Sequence, residues 1–137
     1  MPLIPDSVFD SWWAAALEDA QYTENDNAAE DGRDPVDIEG DPAAEYLEEY
    51  RAAVLRVCEE AAPLIAAQNL NTFPRRCPDG EFDSVFGSDL YLTAVGHGAG
   101  FWDGDWDPIG DELTAIAKRH MPSGDLAEHI NGGWFFI

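Results

Sequence analysis

Basic residues are scarce in this chain. Lysine and arginine together number 7 against 28 aspartates and glutamates among 137 residues, which gives a formal net charge of −21. A charge of this size repels nucleic acid and anionic membranes and attracts basic surfaces. Proteins that hold nucleic acid directly do so with lysine- and arginine-rich grooves. The sequence therefore predicts a partner with a basic surface and no direct contact with nucleic acid.

Cysteines and long hydrophobic runs are also rare. The two cysteines, Cys58 and Cys77, form no C-x-x-C motif, and reduced thiols are the expectation for such a pair. The longest apolar run is far shorter than the roughly 18 residues that a membrane-spanning helix requires. The N-terminal stretch MPLIPDSVFD lacks the basic segment that opens a signal peptide. We therefore expect a cytoplasmic protein with no membrane partner and no cofactor.

Hydrophobic residues are nevertheless plentiful. They make up 45% of the chain, and aromatic residues make up 12%, enough for the core of a single domain over residues 1–137. The acids are concentrated in residues 18–41, which carry ten of them and one base, Arg33. That stretch is rich in Asn, Asp and Gly and shows no sustained period, so we expect an acidic loop there. The same composition is typical of proteins adapted to high salt, whose acidic surfaces keep them soluble.

Two apolar stripes with helical spacing lie in the first half of the chain. The first predicts a short N-terminal helix: Phe9, Trp12, Trp13, Ala16 and Leu17. The second predicts a long helix: Tyr46, Leu47, Tyr50, Val54, Val57, Cys58, Ala61, Leu64 and Ile65. An acid followed by proline, Asp41-Pro42, is a typical helix start, and Pro63 should kink or end the helix near Ala62. Residues 69–88 are predicted to be a loop.

The C-terminal third indicates a different organisation. Residues 89–95 form a candidate strand, 96–100 a glycine-rich turn and 101–103 a short returning strand. Asp107-Pro108 repeats the helix start, and a second hairpin is predicted around Asn131-Gly132-Gly133. The predicted fold is α+β, with two or three helices packed on a small antiparallel sheet of two hairpins.

The segment 89–120 resembles an uncharacterised family of small acidic proteins from phages and prophages. The likeness lies in Thr93, in the run Gly96-His97-Gly98-Ala99-Gly100-Phe101-Trp102-Asp103, and in Gly110-Asp111 and Leu113-Thr114. It implies a phage or prophage origin, hence a host cytoplasm, and no particular activity. The chain departs from the family at Ala94 and Val95, where members tend to carry Arg and Asn.

One candidate catalytic pair lies in this segment. His97 and Asp103 could form an acid–base pair across the predicted hairpin, because histidine titrates near neutral pH. The alternative is that His97 caps the turn through backbone hydrogen bonds. No nucleophile is evident beside the pair, so we expect no enzymatic activity.

A candidate metal-binding pattern overlaps that segment. Asp103, Asp105 and Asp107 alternate as in the opening of a calcium loop. The pattern then fails, because Pro108 occupies the position of the required glycine and Thr114 that of a bidentate glutamate. We expect weak association with Ca²⁺ or Mg²⁺ and no dedicated metal site.

The remaining hypothesis concerns the carboxylates as a contact surface. Acids at helical and loop spacings can imitate the charge density of DNA and occupy the groove of an enzyme that binds it. The predicted surface comprises Glu45, Glu48, Glu49, Asp103, Asp105, Asp107, Asp111 and the acids of 18–41, with Trp102 and Trp106 as partly exposed anchors.

These observations favour a phage-type acidic interaction protein. The most specific form of this hypothesis is a DNA mimic that inhibits a host nucleic-acid-binding defence or repair enzyme. Two alternatives stay open: an accessory or salt-adapted acidic domain without enzymatic activity, and a small enzyme that uses His97 and Asp103.

Overall fold

In the part of the chain that the structure describes, the fold combines four helices with one two-stranded antiparallel sheet and is therefore α+β. A computed structural model describes residues 3–75, 77, 80–96 and 98–137. Its elements are α1 (Pro5–Asp31), α2 (Ala44–Ala66), α3 (Phe82–Val95), α4 (Gly110–His120), β1 (Leu126–Glu128) and β2 (Trp134–Phe136).

Helix α1 confirms the predicted N-terminal helix but is much longer. It buries Val8, Phe9, Trp12, Trp13 and Ala16 against the rest of the protein. It then continues to residue 31, so the prediction of an acidic loop from residue 18 is wrong for residues 18–31. The helix ends at Gly32, whose left-handed backbone (φ 69°) directs its N–H to carbonyls of the last turn. Glycine adopts this conformation without steric cost, and it is a common helix end.

Residues 33–40, which we call the strap, explain why the polar second half of α1 is helical. The backbone N–H of Val36 donates to the Glu24 carboxylate (2.7 Å), and the N–H of Ile38 donates to the side-chain oxygen of Gln21 (2.6 Å). Few apolar contacts hold this half of the helix. Hydrogen bonds from the strap to the side chains of Gln21 and Glu24 therefore stabilise this half in place of apolar packing.

Helix α2 confirms the second predicted stripe with altered ends. Its buried face comprises Tyr50, Ala53, Val54, Val57, Cys58, Ala61 and Ile65. The helix starts at Ala44, because Pro42 forms a parallel bridge with Trp134 of the sheet instead. Pro63 lies inside the helix and does not end it, so of the two predicted effects, a kink or an end near Ala62, the end is wrong. Pro63 is exposed, so water can reach the carbonyl that loses its donor.

Helix α3 occupies the place where the first hairpin was predicted. Phe82, Phe86 and Leu90 recur every four residues and are buried, which is a helical period. Gly87 lets α1 approach closely, since a β-carbon there would lie 2.6 Å from the carbonyl oxygen of Val8. Residues 101–103 form a turn and not a strand. The predicted count of two hairpins is therefore not confirmed.

Helix α4 and the terminal hairpin follow the prediction closely. The helix begins at Gly110, two residues after the proline that was expected to start it. In the hairpin, Leu126 pairs with Phe136 and Glu128 with Trp134. The ring of Phe136 lies 5.5 Å from that of Trp12, so the sheet packs on the aromatic face of α1. No helix in the described part of the chain combines the length and apolarity needed to cross a bilayer.

Candidate functional site

Trp106, predicted to be a partly exposed anchor, is completely buried, and that prediction is wrong. Its indole N–H donates to Oδ2 of Asp89 on α3 (2.6 Å). Its ring contacts four other aromatic rings edge-on: Phe73, Phe82, Phe86 and Phe101. Trp106 therefore fixes the segment before α4 to the core and cannot contact a partner.

Trp102 differs from Trp106 in keeping 39% of its surface exposed. Its indole N–H donates to the carbonyl of Gly98 (2.8 Å), and the Lys118 ammonium lies 5.8 Å from the ring centre. The hydrogen bond and the cation–π contact hold the ring in one orientation. Trp102 thus has the exposure that the predicted anchor requires.

The acids of residues 103–111 follow this tryptophan in the sequence. Asp103, Asp107 and Asp111 are exposed, and Asp105 is half-buried. Asp103 is engaged with the backbone, because its Oδ1 accepts the N–H of Asp105 (3.2 Å). Asp111 lies in the first turn of α4, where the helix dipole favours a negative charge.

These carboxylates also act on a buried neighbour. The pKa of Asp89 is raised, first because burial disfavours its charged form and then because Asp103 and Asp105 repel that charge. Among the residues that the structure describes, no group of three or more histidine, cysteine or acidic side chains is arranged to hold a metal ion. Asp103, Asp105 and Asp107 are not brought together in such a group.

The candidate catalytic pair has only one described member. His97 lies outside the described residues, so its pairing with Asp103 stays a prediction. The glycine turn around it connects α3 to the segment before α4, and not two strands. Gly96 ends α3 in the left-handed conformation (φ 76°). Next to it, the hydroxyl of buried Thr93 accepts the backbone N–H of Phe101 (2.9 Å).

The predicted contact acids of α2 lie at the start of that helix. Glu45, Glu48 and Glu49 are exposed in the first turns of the helix, where Glu45 contacts Nε2 of His129 in the terminal hairpin (3.0 Å). The last turn of α4 contacts α2 at Glu60, about 22 Å further along the helix axis. Glu45, Glu48 and Glu49 therefore lie at the opposite end of α2 from Glu60.

The largest array of carboxylates is one that sequence reasoning placed in a loop. We call it the α1 acidic segment: Glu18, Asp19, Glu24, Asp26, Glu30 and Asp31. Helix α1 contains no basic residue. Gly32, a typical residue after a helix end, is the signal in the sequence that could have located the end of this helix.

One member of the α1 acidic segment is neutralised locally. Arg33 binds the Glu24 carboxylate with both terminal nitrogens (2.9 Å each). This pair, together with the N–H of Val36, lowers the pKa of Glu24 from 4.5 to about 2. Glu24 therefore holds the strap. Nε of Arg33 also lies 3.6 Å from Oδ2 of Asp31, so six acids and one arginine leave a net charge of −5.

Comparison with known proteins adds no relative to this description. No protein-family model matches the chain, and no significant match was found among curated proteins or solved structures.

Proposed function

We propose that this chain is an acidic interaction protein that binds the basic, nucleic-acid-binding surface of another protein. The observation that carries the proposal is the α1 acidic segment, six carboxylates on one helix that has no basic residue. A helix holds its charges at fixed separations, whereas a loop would have to be ordered on binding at a cost in entropy. The proposed contact is therefore preorganised.

The spacing of these charges resembles that of a nucleic acid strand. From Glu18 to Asp31 the helix rises about 20 Å. Because Arg33 offsets one of the six carboxylates, the net charge is about one per 4 Å. One DNA strand carries one phosphate per about 3.4 Å of axis. A groove that matches phosphates with lysine and arginine would find a comparable charge density on α1. This similarity supports the DNA-mimic version of the proposal.

The other predicted acids extend the proposed surface. Glu45, Glu48 and Glu49 on α2 and Asp103, Asp105, Asp107 and Asp111 near α4 add to the negative field. Trp102 is the proposed apolar anchor, because interfaces owe much of their affinity to partly exposed aromatic side chains that become buried. Electrostatic attraction would supply fast association, and the anchor would supply specificity.

The phage resemblance suggests which partner to expect. We propose a host enzyme of defence or repair, in the host cytoplasm, as the bearer of the basic surface. Such enzymes bind nucleic acid through the kind of groove that the α1 acidic segment fits. A salt-adapted accessory domain without a partner is the alternative that the test below must separate.

The test is capture from a nuclease-treated host lysate at about 0.3 M salt, which screens loose attraction between distant charges. A variant with Glu18→Gln, Asp26→Asn, Glu30→Gln and Asp31→Asn removes four charges from the α1 acidic segment. A control variant removes four exposed charges outside the proposed surface: Glu59→Gln, Glu81→Gln, Glu112→Gln and Glu128→Gln.

We expect the wild type and the control variant to retain one nucleic-acid-binding protein in stoichiometric amount, and the α1 variant to lose it. Equal retention by both variants would contradict a contact through α1. An empty eluate from the wild type, with a chain that folds only in molar salt, would instead support salt adaptation.

A further inference from the structure

A cleft opens where α1 meets the terminal hairpin. It has a volume of about 290 Å³ and lies between α1, the strap, α3 and the hairpin. The side chains that decide its chemistry are Asp19, Thr23 and Asn27 of α1, Tyr91 of α3, and Asp125 and Trp134 at the hairpin. No prediction from the sequence placed these residues together.

The two aromatic side chains that line the cleft, Tyr91 and Trp134, already donate their hydrogen bonds to acceptors of the protein itself. The Tyr91 hydroxyl donates to Oδ2 of Asp19 (2.7 Å), and the Trp134 indole N–H donates to the carbonyl of Glu39 (2.9 Å). The lining therefore offers a ligand acceptors in the Asp125 carboxylate, the Thr23 hydroxyl and the Asn27 amide oxygen. Asp19, whose carboxylate is already engaged with Tyr91, adds its negative charge. A ligand rich in hydrogen-bond donors fits such a lining.

The electrostatic field in the cleft is negative. The pKa of Tyr91 is raised, first by burial, then by its hydrogen bond to Asp19 and by the charges of Asp19 and Asp125. The same charges that keep the proton on this phenol attract a cation. Glu24 also lines the cleft, but the Arg33 guanidinium offsets its charge.

We propose that this cleft binds an ammonium or guanidinium group carried on a short aliphatic chain. Such a group presents three to five N–H donors and a positive charge, which match the acceptors and the field of the lining. The ring of Trp134 offers an aromatic surface for the cation. The volume lies near the lower end of the range for ligand sites, so the cleft suits one head group and a few methylenes.

The cation has two possible sources: a free polyamine, or a lysine or arginine side chain of a protein. Two probes represent them, putrescine and Nα-acetylarginine N-methylamide. Each is titrated into the ¹⁵N-labelled protein at a constant ionic strength of about 0.15 M, which limits loose binding elsewhere on the surface. The readouts are the Trp134 indole signal, assigned with a Trp134→Phe variant, and the backbone amides of Thr23 and Asn27.

We expect saturable shifts of these signals with at least one probe, and the probe with the higher affinity identifies the source. Asp125→Asn, at an exposed residue, should weaken binding about tenfold, the effect of one charge-assisted hydrogen bond. Asp19→Asn should also weaken binding several-fold, because it removes one negative charge from the lining. Asp26→Asn removes the same charge from an exposed position of α1 outside the cleft, and should change affinity by less than about twofold.

Shifts that do not saturate, or that spread over all acidic segments, would overturn the proposal, as would an equal loss in Asp26→Asn. None of the cleft residues is altered in the variants that test the α1 contact surface. The failure of either proposal therefore leaves the other standing.

Discussion

Replacing Gly87 with alanine tests the close packing of α3 on α1. In an ordinary helix interior this change stabilises by about 1 kcal/mol, because alanine loses less backbone entropy than glycine. At this position the new methyl group would lie 2.6 Å from the carbonyl oxygen of Val8, 2.7 Å from Cβ of Ser11 and 3.0 Å from the backbone N of Trp12. All three atoms belong to α1, so the helices must move apart.

The cost of that movement decides the sign of the effect. Overpacking a core typically costs about 1–3 kcal/mol, and backbone atoms yield less readily than the ends of side chains. After the gain in helix propensity is subtracted, we expect a net loss of up to about 2 kcal/mol. For a chain of this length that corresponds to a fall in Tm of up to about 10 °C.

Thermal unfolding followed by circular dichroism measures this change, with urea unfolding as a second probe. The matched control is Ser84→Ala, an exposed position of the same helix, where alanine should leave Tm equal or raise it slightly. If Gly87→Ala also raised Tm, the close packing of α1 on α3 would be refuted.

Three further predictions concern single groups. The pKa of Glu24 is lowered from 4.5 to about 2, so the stability that Glu24 gains by binding the strap is present above about pH 4.5 and is lost as the pH falls through 2. A ¹³C titration of the Glu24 carboxyl should show this midpoint, and Arg33→Gln should raise the midpoint. Thr93→Val leaves the buried N–H of Phe101 without its acceptor and should cost about 1–3 kcal/mol in urea unfolding; a loss below about 0.5 kcal/mol would contradict this role. Burial raises the pKa of Cys58 to about 12, so at pH 8 a thiol reagent should label the peptide containing Cys58 only in denaturant, and rapid labelling of the native protein would count against the burial.

The sequence was sufficient to predict elements with a strong local signal. The period of α2 is legible because its apolar side chains recur over six turns, and the terminal hairpin because Gly132 and Gly133, both with positive φ, form its turn. Helix starts were less accurate. Pro42 and Pro108 each precede the observed helix by two residues. At Pro42 the reason is its bridge to Trp134 in the hairpin, a contact that local sequence does not reveal.

Helix α3 was not predicted, because its apolar residues were divided between a predicted loop (69–88) and a predicted strand (89–95). Residues 89–95 contain Leu, Tyr, Thr and Val, which favour strands, while Phe82 and Phe86 were assigned to the preceding loop. Considered together, Phe82, Phe86 and Leu90 have helical spacing, and the packing of α3 on α1 outweighs the local preference. Propensity alone could not show that contact.

The candidate site was predictable in composition but not in geometry. The acids of residues 18–41 were identified, yet their helical order depends on Gln21 and Glu24 binding the strap at Val36 and Ile38. These are contacts between residues 12–17 positions apart, without a local period. Trp106 was predicted to be exposed because it lies among aspartates, but its pocket is formed by aromatic residues distant in sequence.

The most direct test of the proposed function is competition between this protein and DNA for the captured partner. Labelled duplex DNA is bound to that partner at about 0.15 M salt, and the wild type or the α1 variant is added in increasing amounts. The account predicts full displacement by the wild type at a single stoichiometry, and loss of displacement when Glu18, Asp26, Glu30 and Asp31 are neutralised. DNA that stays bound at saturating wild-type protein would contradict the claim that the acids of α1 occupy a nucleic-acid-binding surface.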